Sequence, residues 1–368
     1  MGRRLLMLLC MLAVLVGTAR AAETDIPAAQ SEALDLDGIQ AAGEKWVPGI
    51  DLEDGLDLEA GIQTILDTGS GQVSGVLRKA LRSGVLLLAV VLLCGLAEGL
   101  YGGVGGVDGP DLVSMVGAMA VAAVAVADAN SLIGMGREAL EHMETFSKLL
   151  LPAVTAAAAA AGTPSGAAAR QLATMLFSDV LMTVITSLLL PLLYLYIAAC
   201  VGHTAIGNEG LKRIAGTIKW VVTAVLSAIL ILFVGYLTVS GAIAGTADAA
   251  TVKAAKFTMS SMVPVVGGIL SDAAETVLAS AGILKNAVGV FGMLVVLGMC
   301  VVPFLQLGIH YLVYKLTAAL SATVSGGRVA GLIDQIGGAF GLVLGMTGAC
   351  ALLLLISMVS AVTAATGG

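Results

Sequence analysis

Asp272 and Glu275 stand three residues apart, so on a helix their carboxylates share one face. General acid–base chemistry uses such pairs when a nucleophile or a metal ligand is close by. No such neighbour is evident in the sequence. The three histidines, His142, His203 and His310, stand far apart, and there is no glycine-rich phosphate loop, GxSxG elbow or HExxH pair. Of the five cysteines, Cys10 lies in the leading apolar stretch, and Cys94, Cys200, Cys300 and Cys350 are each set in an apolar run without CxxC spacing. A thiol so placed reads as a small packing residue. The pattern predicts no enzyme, no cofactor and no metal site, and a charged helix face accounts for Asp272 and Glu275.

Two other acids stand out for their surroundings. Asp128 and Asp179 lie in or near the ends of apolar runs, and an ionisable group at membrane depth is costly enough to be a functional candidate. Asp128, close to Asn130 and Ser131, fits either a helix end at the interface or a polar pathway between helices. Asp179 fits either one buried, hydrogen-bonded carboxylate or the same pathway. Pro191, later in that run, predicts a kink.

The elements that must position these groups are membrane helices. The 368 residues are 58% hydrophobic and 12% charged, with a mean hydropathy of +1.01; soluble domains carry about 25% charged residues. Apolar runs fall at 84–101, 112–134, 148–161, 172–201, 220–240, 287–305, 307–324 and 337–361. Six are long enough to span about 30 Å of hydrocarbon. The short run at 148–161 and the run at 307–324, which carries His310 and Lys315, read as re-entrant or interior helices. The expected fold is an all-α, polytopic integral membrane bundle of six to eight transmembrane or re-entrant helices. Gly337, Gly341, Gly345 and Ala349, spaced four apart, predict a smooth face for close packing, within the bundle or against another subunit.

The chain opens with Arg3 and Arg4, an apolar stretch from Leu5 to Val16, and Ala19-Arg20-Ala21, the layout of a secretory signal over residues 1–22. An acidic arm, 23–78, follows. Twelve of the 25 acidic residues fall between Glu23 and Asp67, where Lys45 is the single base. Its hydrophobic punctuation predicts one or two short amphipathic helices on the extracytoplasmic side. The membrane domain, 79–368, is close to neutral, and no basic patch suggests nucleic acid. Arg78, Lys79 and Arg82, just before the first span, conflict with the positive-inside rule for a secreted arm, so charge leaves the side of the C-terminus open.

The segment from 242 to 286 differs from its surroundings: moderately apolar, charged at Asp248, Lys253, Lys256, Asp272, Glu275 and Lys285, and broken at Pro264 and Gly267-Gly268. It reads as helices at an interface or lining a polar space. Within it, AAKFTMSSMVPVVGGILSDAAETVLASAGILKNAVGVFG at 254–292 resembles the best-marked block of the stage III sporulation protein AE family. The matching positions include Lys256, Pro264, Gly267, Asp272, Glu275, Lys285 and Asn286, with Tyr314-Lys315-Leu316 further on.

The resemblance implies a mother-cell membrane component of the channel-like complex that joins mother cell and forespore during endospore formation. It would sit in the membrane around the forespore. Its implied partners are the other stage III A-operon proteins, including a secretion-type ATPase and ring-forming subunits, and a forespore membrane protein across the intermembrane space. The seven block residues are candidates for assembly or pore lining, and the family supplies no catalytic residue. Without a nucleotide loop, this chain would not be the motor. The competing expectation is an independent secondary transporter with Asp128 and Asp179 on its path; inverted internal repeats, which would favour it, are not evident.

Overall fold

Lipid offers the backbone no hydrogen-bond partners, so a chain this apolar must satisfy its amides and carbonyls within helices. The computed structural model describes residues 35–49, 58–101, 109–160, 164–262, 267–324 and 328–363, and the expected signal peptide lies outside them. The elements are α1 (Leu36–Glu44), α2 (Leu58–Tyr101), α3 (Gly109–Ala160), α4 (Pro164–Val184), a π-helical turn (Ile185–Leu189), α5 (Leu190–Ile206), α6 (Glu209–Met262), α7 (Gly267–Ser321) and α8 (Arg328–Thr363). There is no strand among the described residues.

Six stretches are long and apolar enough to cross a membrane: Glu59–Leu100, Met115–Ala160, Ala173–Ile206, Glu209–Val239, Gly282–Ser321 and Arg328–Val359. The protein is a multi-pass membrane protein. Eight apolar runs become six helical stretches because two pairs of runs fuse. The runs at 112–134 and 148–161 join through residues 135–147, a good helix former held by i,i+4 pairs from Arg137 to Glu141 (2.9 Å) and from Glu144 to Lys148 (2.6 Å). The runs at 287–305 and 307–324 are separated by Gln306 alone, and α7 continues through Pro303. Neither short run is a separate re-entrant element.

Pro191 marks a different irregularity. Its ring would collide with the carbonyl four residues back, and it has no N–H to offer. The helix answers with the five-residue π-turn that ends at Leu189, two residues before the proline. Hydroxyls in apolar surroundings are satisfied locally: Thr155, Thr186, Thr204 and Thr347 each donate to the carbonyl four residues earlier, at 2.7–3.2 Å.

The helices α7 and α8 are central, and α2 and α6 peripheral. The α7–α8 hairpin is antiparallel: Gly337 meets Tyr314, Gly341 meets Tyr311 and Gly348 meets Phe304. The first two glycines of the predicted small-residue row thus pack inside the chain, whereas Gly345 has open space beside it. The helices α2 and α3 form a second hairpin, with Gly117 against Cys94. Along α7, Gly69 faces Val301 and Leu305 and Gly84 faces Val313 and Thr317, so α2 runs parallel to α7. On the other side, α4 and α5 run antiparallel to α8, as the Thr174–Ser357 hydroxyl pair (2.5 Å) and the Tyr196–Gln335 contact require.

The α5–α6 corner turns at Gly207, whose φ of 76° is left-handed and favours glycine. Asn208 then caps α6, its Oδ1 accepting from the Gly210 amide at 2.8 Å. From the acidic arm, α1 lays Leu36 and Ile39 on the bundle, with Trp46 edge-on to His142 and its carbonyl close to Gly298. The second helical stretch foreseen in the arm is the beginning of α2, which passes unbroken through residues 78 and 79.

A Cβ at Gly136 would lie 2.6 Å from Val343, whereas Gly216 has nothing within 4 Å. Gly136→Leu is therefore expected to lower stability by about 1–3 kcal/mol through overpacking. Gly216→Ala should be neutral or stabilising by up to about 1 kcal/mol through helix propensity. Thermal unfolding of both variants in one detergent checks the pair.

Candidate functional site: a polar cluster inside the bundle

Where α3, α5, α7 and α8 converge, polar side chains gather on an otherwise apolar frame. Helix α7 supplies His310 and Tyr314, one turn apart on the same face, and both meet Phe340 of α8 edge-on, with ring centroids 6.3 and 4.9 Å away. Tyr314 is fully buried, and its hydroxyl donates to Asp128 Oδ2 on α3 at 2.8 Å. The next α7 residue, Lys315, reaches Asp334 of α8 at 2.6 Å and lies 5.8 Å from the Tyr311 ring centre. From α5, the Tyr196 hydroxyl donates to the Gln335 backbone carbonyl at 2.9 Å. His310 Nδ1–H donates to the Gln306 carbonyl at 2.8 Å, which leaves Nε2 as the acceptor in a neutral ring. Asp128 and Lys79 both lie within electrostatic reach of that imidazole.

These groups mostly satisfy one another. An acid half-buried on a spanning helix is held by a phenol, and the lysine near the α7–α8 turn is held by a carboxylate. Such interhelical bonds are worth about 0.6 kcal/mol on average and up to ~1.7 in membranes, so the cluster ties four helices together at modest strength. Ser321 Oγ and Gln335 Oε1 are buried without a hydrogen bond. Among the described residues, no three His, Cys, Asp or Glu side chains come together as metal ligands would. A groove of about 450 Å³ bounded by Ile62, Ile65, Val301, Phe304 and Leu355 has an apolar lining that includes Cys300.

The two intramembrane acids part company. Asp128 lies well inside α3, not at a helix end, and joins the cluster. Asp179 is exposed on the outer face of α4 and is not a buried carboxylate. Of the seven block positions, Lys285 is fully buried and Asn286 exposed, next to each other on α7. Lys256 belongs to α6, and Gly267, Asp272 and Glu275 to the first turns of α7; their side chains lie outside the described part, and Pro264 lies outside the described residues altogether. Helix α6 ends at Met262 and α7 begins at Gly267, so Gly267 and Gly268 open a helix. Sequence reasoning missed Asp334 and Gln335 and gave Tyr314 no partner. The usable signal was the i,i+4 spacing of His310 and Tyr314 beside Lys315, a polar stripe on an apolar helix.

The sequence pattern of the stage III sporulation protein AE family matches residues 62–366, from the beginning of α2 to the end of α8. The stage III sporulation protein AE of Bacillus subtilis (strain 168) is 27% identical over 204 residues, which cover 55% of this chain and 51% of that protein. The alignment thus spans about half the length of this relative. No solved structure matches. With more than half of the chain inside one family pattern, and a multi-pass helical body beneath it, the chain belongs to the stage III sporulation protein AE family.

Proposed function

We propose that this protein is a membrane subunit of the mother-cell-to-forespore channel or secretion-like complex that forespore development requires, serving as a structural or conducting platform and not as the motor. The family match over residues 62–366 carries this reading. The multi-pass body supports it, as does a polar cluster whose bonds join helices to one another. In this reading the chain has no catalytic activity of its own. Its partners are the other stage III A-operon proteins, among them a secretion-type ATPase and ring-forming subunits, together with a forespore membrane protein.

A mother-cell membrane location follows from this family reading, and the distribution of charge supports an arm outside the cytoplasm. Lys212, Arg213 and Arg328 cluster at one end of the bundle, where Arg328 lies against Gly207. Helix α1 and Trp46 lie towards the other, against Phe291, Val295 and Gly298. The positive-inside rule assigns the basic end to the cytoplasm and the arm to the intermembrane side. Arg78, Lys79 and Arg82, which opposed this from sequence, lie along the bundle between those ends and are not a loop.

Deleting the gene in a spore former is expected to leave vegetative growth unchanged and to stall development after engulfment. A vegetative nutrient-uptake defect would point instead to a transporter. Affinity capture from sporulating cells in mild detergent is expected to recover the ring proteins and the ATPase; their absence from an otherwise intact complex would sink the proposal.

Two substitutions probe the body itself. The double-mutant cycle of Asp128→Asn and Tyr314→Phe is expected to give a coupling of about 0.6–1.7 kcal/mol by detergent unfolding. Asp128→Asn should also retain most sporulation, whereas an Asp128-dependent transporter would lose it. Lys285→Ala, which removes a fully buried cation, is expected to reduce the recovered complex and sporulation efficiency far more than Glu209→Ala at an exposed helix start. Equal complementation by both would remove Lys285 from the assembly.

A further inference from the structure

Helix α6 turns one side to the bundle and the other outward. Ala215, Ile218, Val222, Leu226, Phe233 and Leu237 recur at helical spacing and are buried. On the outer side, Ile231, Leu232, Val234 and Val239 are 41–70% exposed, an apolar surface that lipid covers. The charges stop where this surface begins: Lys219 is the last charged residue before it, and the next in sequence is Asp248. The apolar run at 220–240 is about 32 Å long at ~1.5 Å per residue, close to the ~30 Å of the hydrocarbon core.

Just beyond that edge lies Gly216, with open space where a side chain would begin. On a helix surface the neighbours of a residue stand three and four positions away. For Gly216 these are Lys212, Arg213, Lys219 and Trp220. All four are exposed, Trp220 at 69%. The glycine is thus a bare notch ringed by three cations and an indole. The hydroxyls of Thr217 and Thr223 are turned back on the helix, donating to the Arg213 and Lys219 carbonyls at 3.0 Å. Glu209 lies 3.4 Å from Lys212 in an exposed pair, the weak kind of ion pair. Among the described residues, neither Arg213 nor Lys219 is paired with a carboxylate.

The depth of the notch follows from the same helix. Trp220 stands at the edge of the hydrocarbon, the boundary that indoles prefer. Gly216 is one turn further out, about 6 Å at ~1.5 Å per residue. The headgroup layer is about 5–8 Å thick on each side of the bilayer, so the three bases surround a gap at the level of the lipid phosphates.

We propose that the Gly216 notch binds the headgroup of an anionic phospholipid, whose phosphate is held by Lys212, Arg213 and Lys219 while its acyl chains run along Trp220 towards Ile231. An amphiphile with a negative head and a hydrocarbon tail matches both parts of this face in the order in which they occur. Basic side chains beside a membrane surface attract anionic lipid, and here the missing Cβ lets the phosphate approach the helix between them. An acidic peptide would match the bases alone. A second copy of the chain would set like charge against like. The site requires the membrane body only and does not depend on the sporulation role.

The test uses the full-length chain in bilayers of phosphatidylcholine with a minor fraction of phosphatidylglycerol, one lipid or the other carrying brominated acyl chains that quench a nearby indole. The chain has two tryptophans, so Trp46→Phe leaves Trp220 as the reporter. Brominated phosphatidylglycerol is expected to quench Trp220 as though enriched about fivefold or more over its bulk fraction, the factor that one base contributes beside an anionic lipid; brominated phosphatidylcholine should show no enrichment. Gly216→Glu, which puts a carboxylate into the open notch, and Arg213→Gln with Lys219→Gln are each expected to abolish the enrichment. Arg137→Gln with Lys148→Gln, which removes two exposed bases of α3 already held by acids, should leave it unchanged. Equal quenching by the two brominated lipids would overturn the proposal, as would enrichment that survives either α6 substitution or falls equally in the α3 control. Loss of enrichment on adding soluble glycerol phosphate, but not sodium chloride of the same ionic strength, would make a soluble phosphate ester the occupant and overturn the lipid.

Discussion

Everything in this bundle is hung on the close approach of α7 and α8. Gly337 and Gly341 let the Tyr314 and Tyr311 side of α7 settle directly on α8, and Phe340 fills the edge between His310 and Tyr314. In lipid there is little hydrophobic drive to join helices, so such fitted contacts and a few interhelical hydrogen bonds must supply it. Three of the remaining helices also reach this pair through a polar link, α3 through Asp128, α5 through Tyr196 and α4 through the Thr174–Ser357 hydroxyls, while α2 packs on α7 at Gly69 and Gly84.

The helical, multi-pass character was legible in the sequence because it follows from hydropathy alone, and the glycine row of α8 was legible as a packing face. The merging of runs was less so. A window scale reads Arg137, Glu141, Glu144 and Lys148 as a break in the membrane segment, yet the same residues at four-residue spacing stabilise a helix and carry α3 through. Hydropathy marks where lipid fits; it does not mark where a helix stops. Nor does it give depth, since two equally apolar runs look alike whether or not they lie at one level.

Asp128 was legible as a candidate because a carboxylate in an apolar run is conspicuous. Its partner was not, because Tyr314 lies 186 residues away and an isolated tyrosine in a membrane helix is unremarkable. Asp179 shows the reverse failure: by local composition it resembles Asp128, but it points out of the bundle. The difference is one of helix face, which a nearly uniform apolar run cannot reveal. Lys285 carried a signal of another kind, a family-pattern residue that turns out to be enclosed. The block around it was legible as a family mark but not as a contact surface.

The π-turn before Pro191 has a bearing on how the two halves of that span are aimed. A π-turn carries an extra residue, and each residue of an α-helix rotates the following face by about 100°. Helix α4 can therefore turn Thr174 and Phe177 towards α8 and α6 while α5, beyond the insertion, turns Tyr196 towards Gln335. A straight helix of the same sequence would present one of these sets to lipid. The proline thus acts as a phase shifter, setting the rotational offset at which one span can grip the bundle twice.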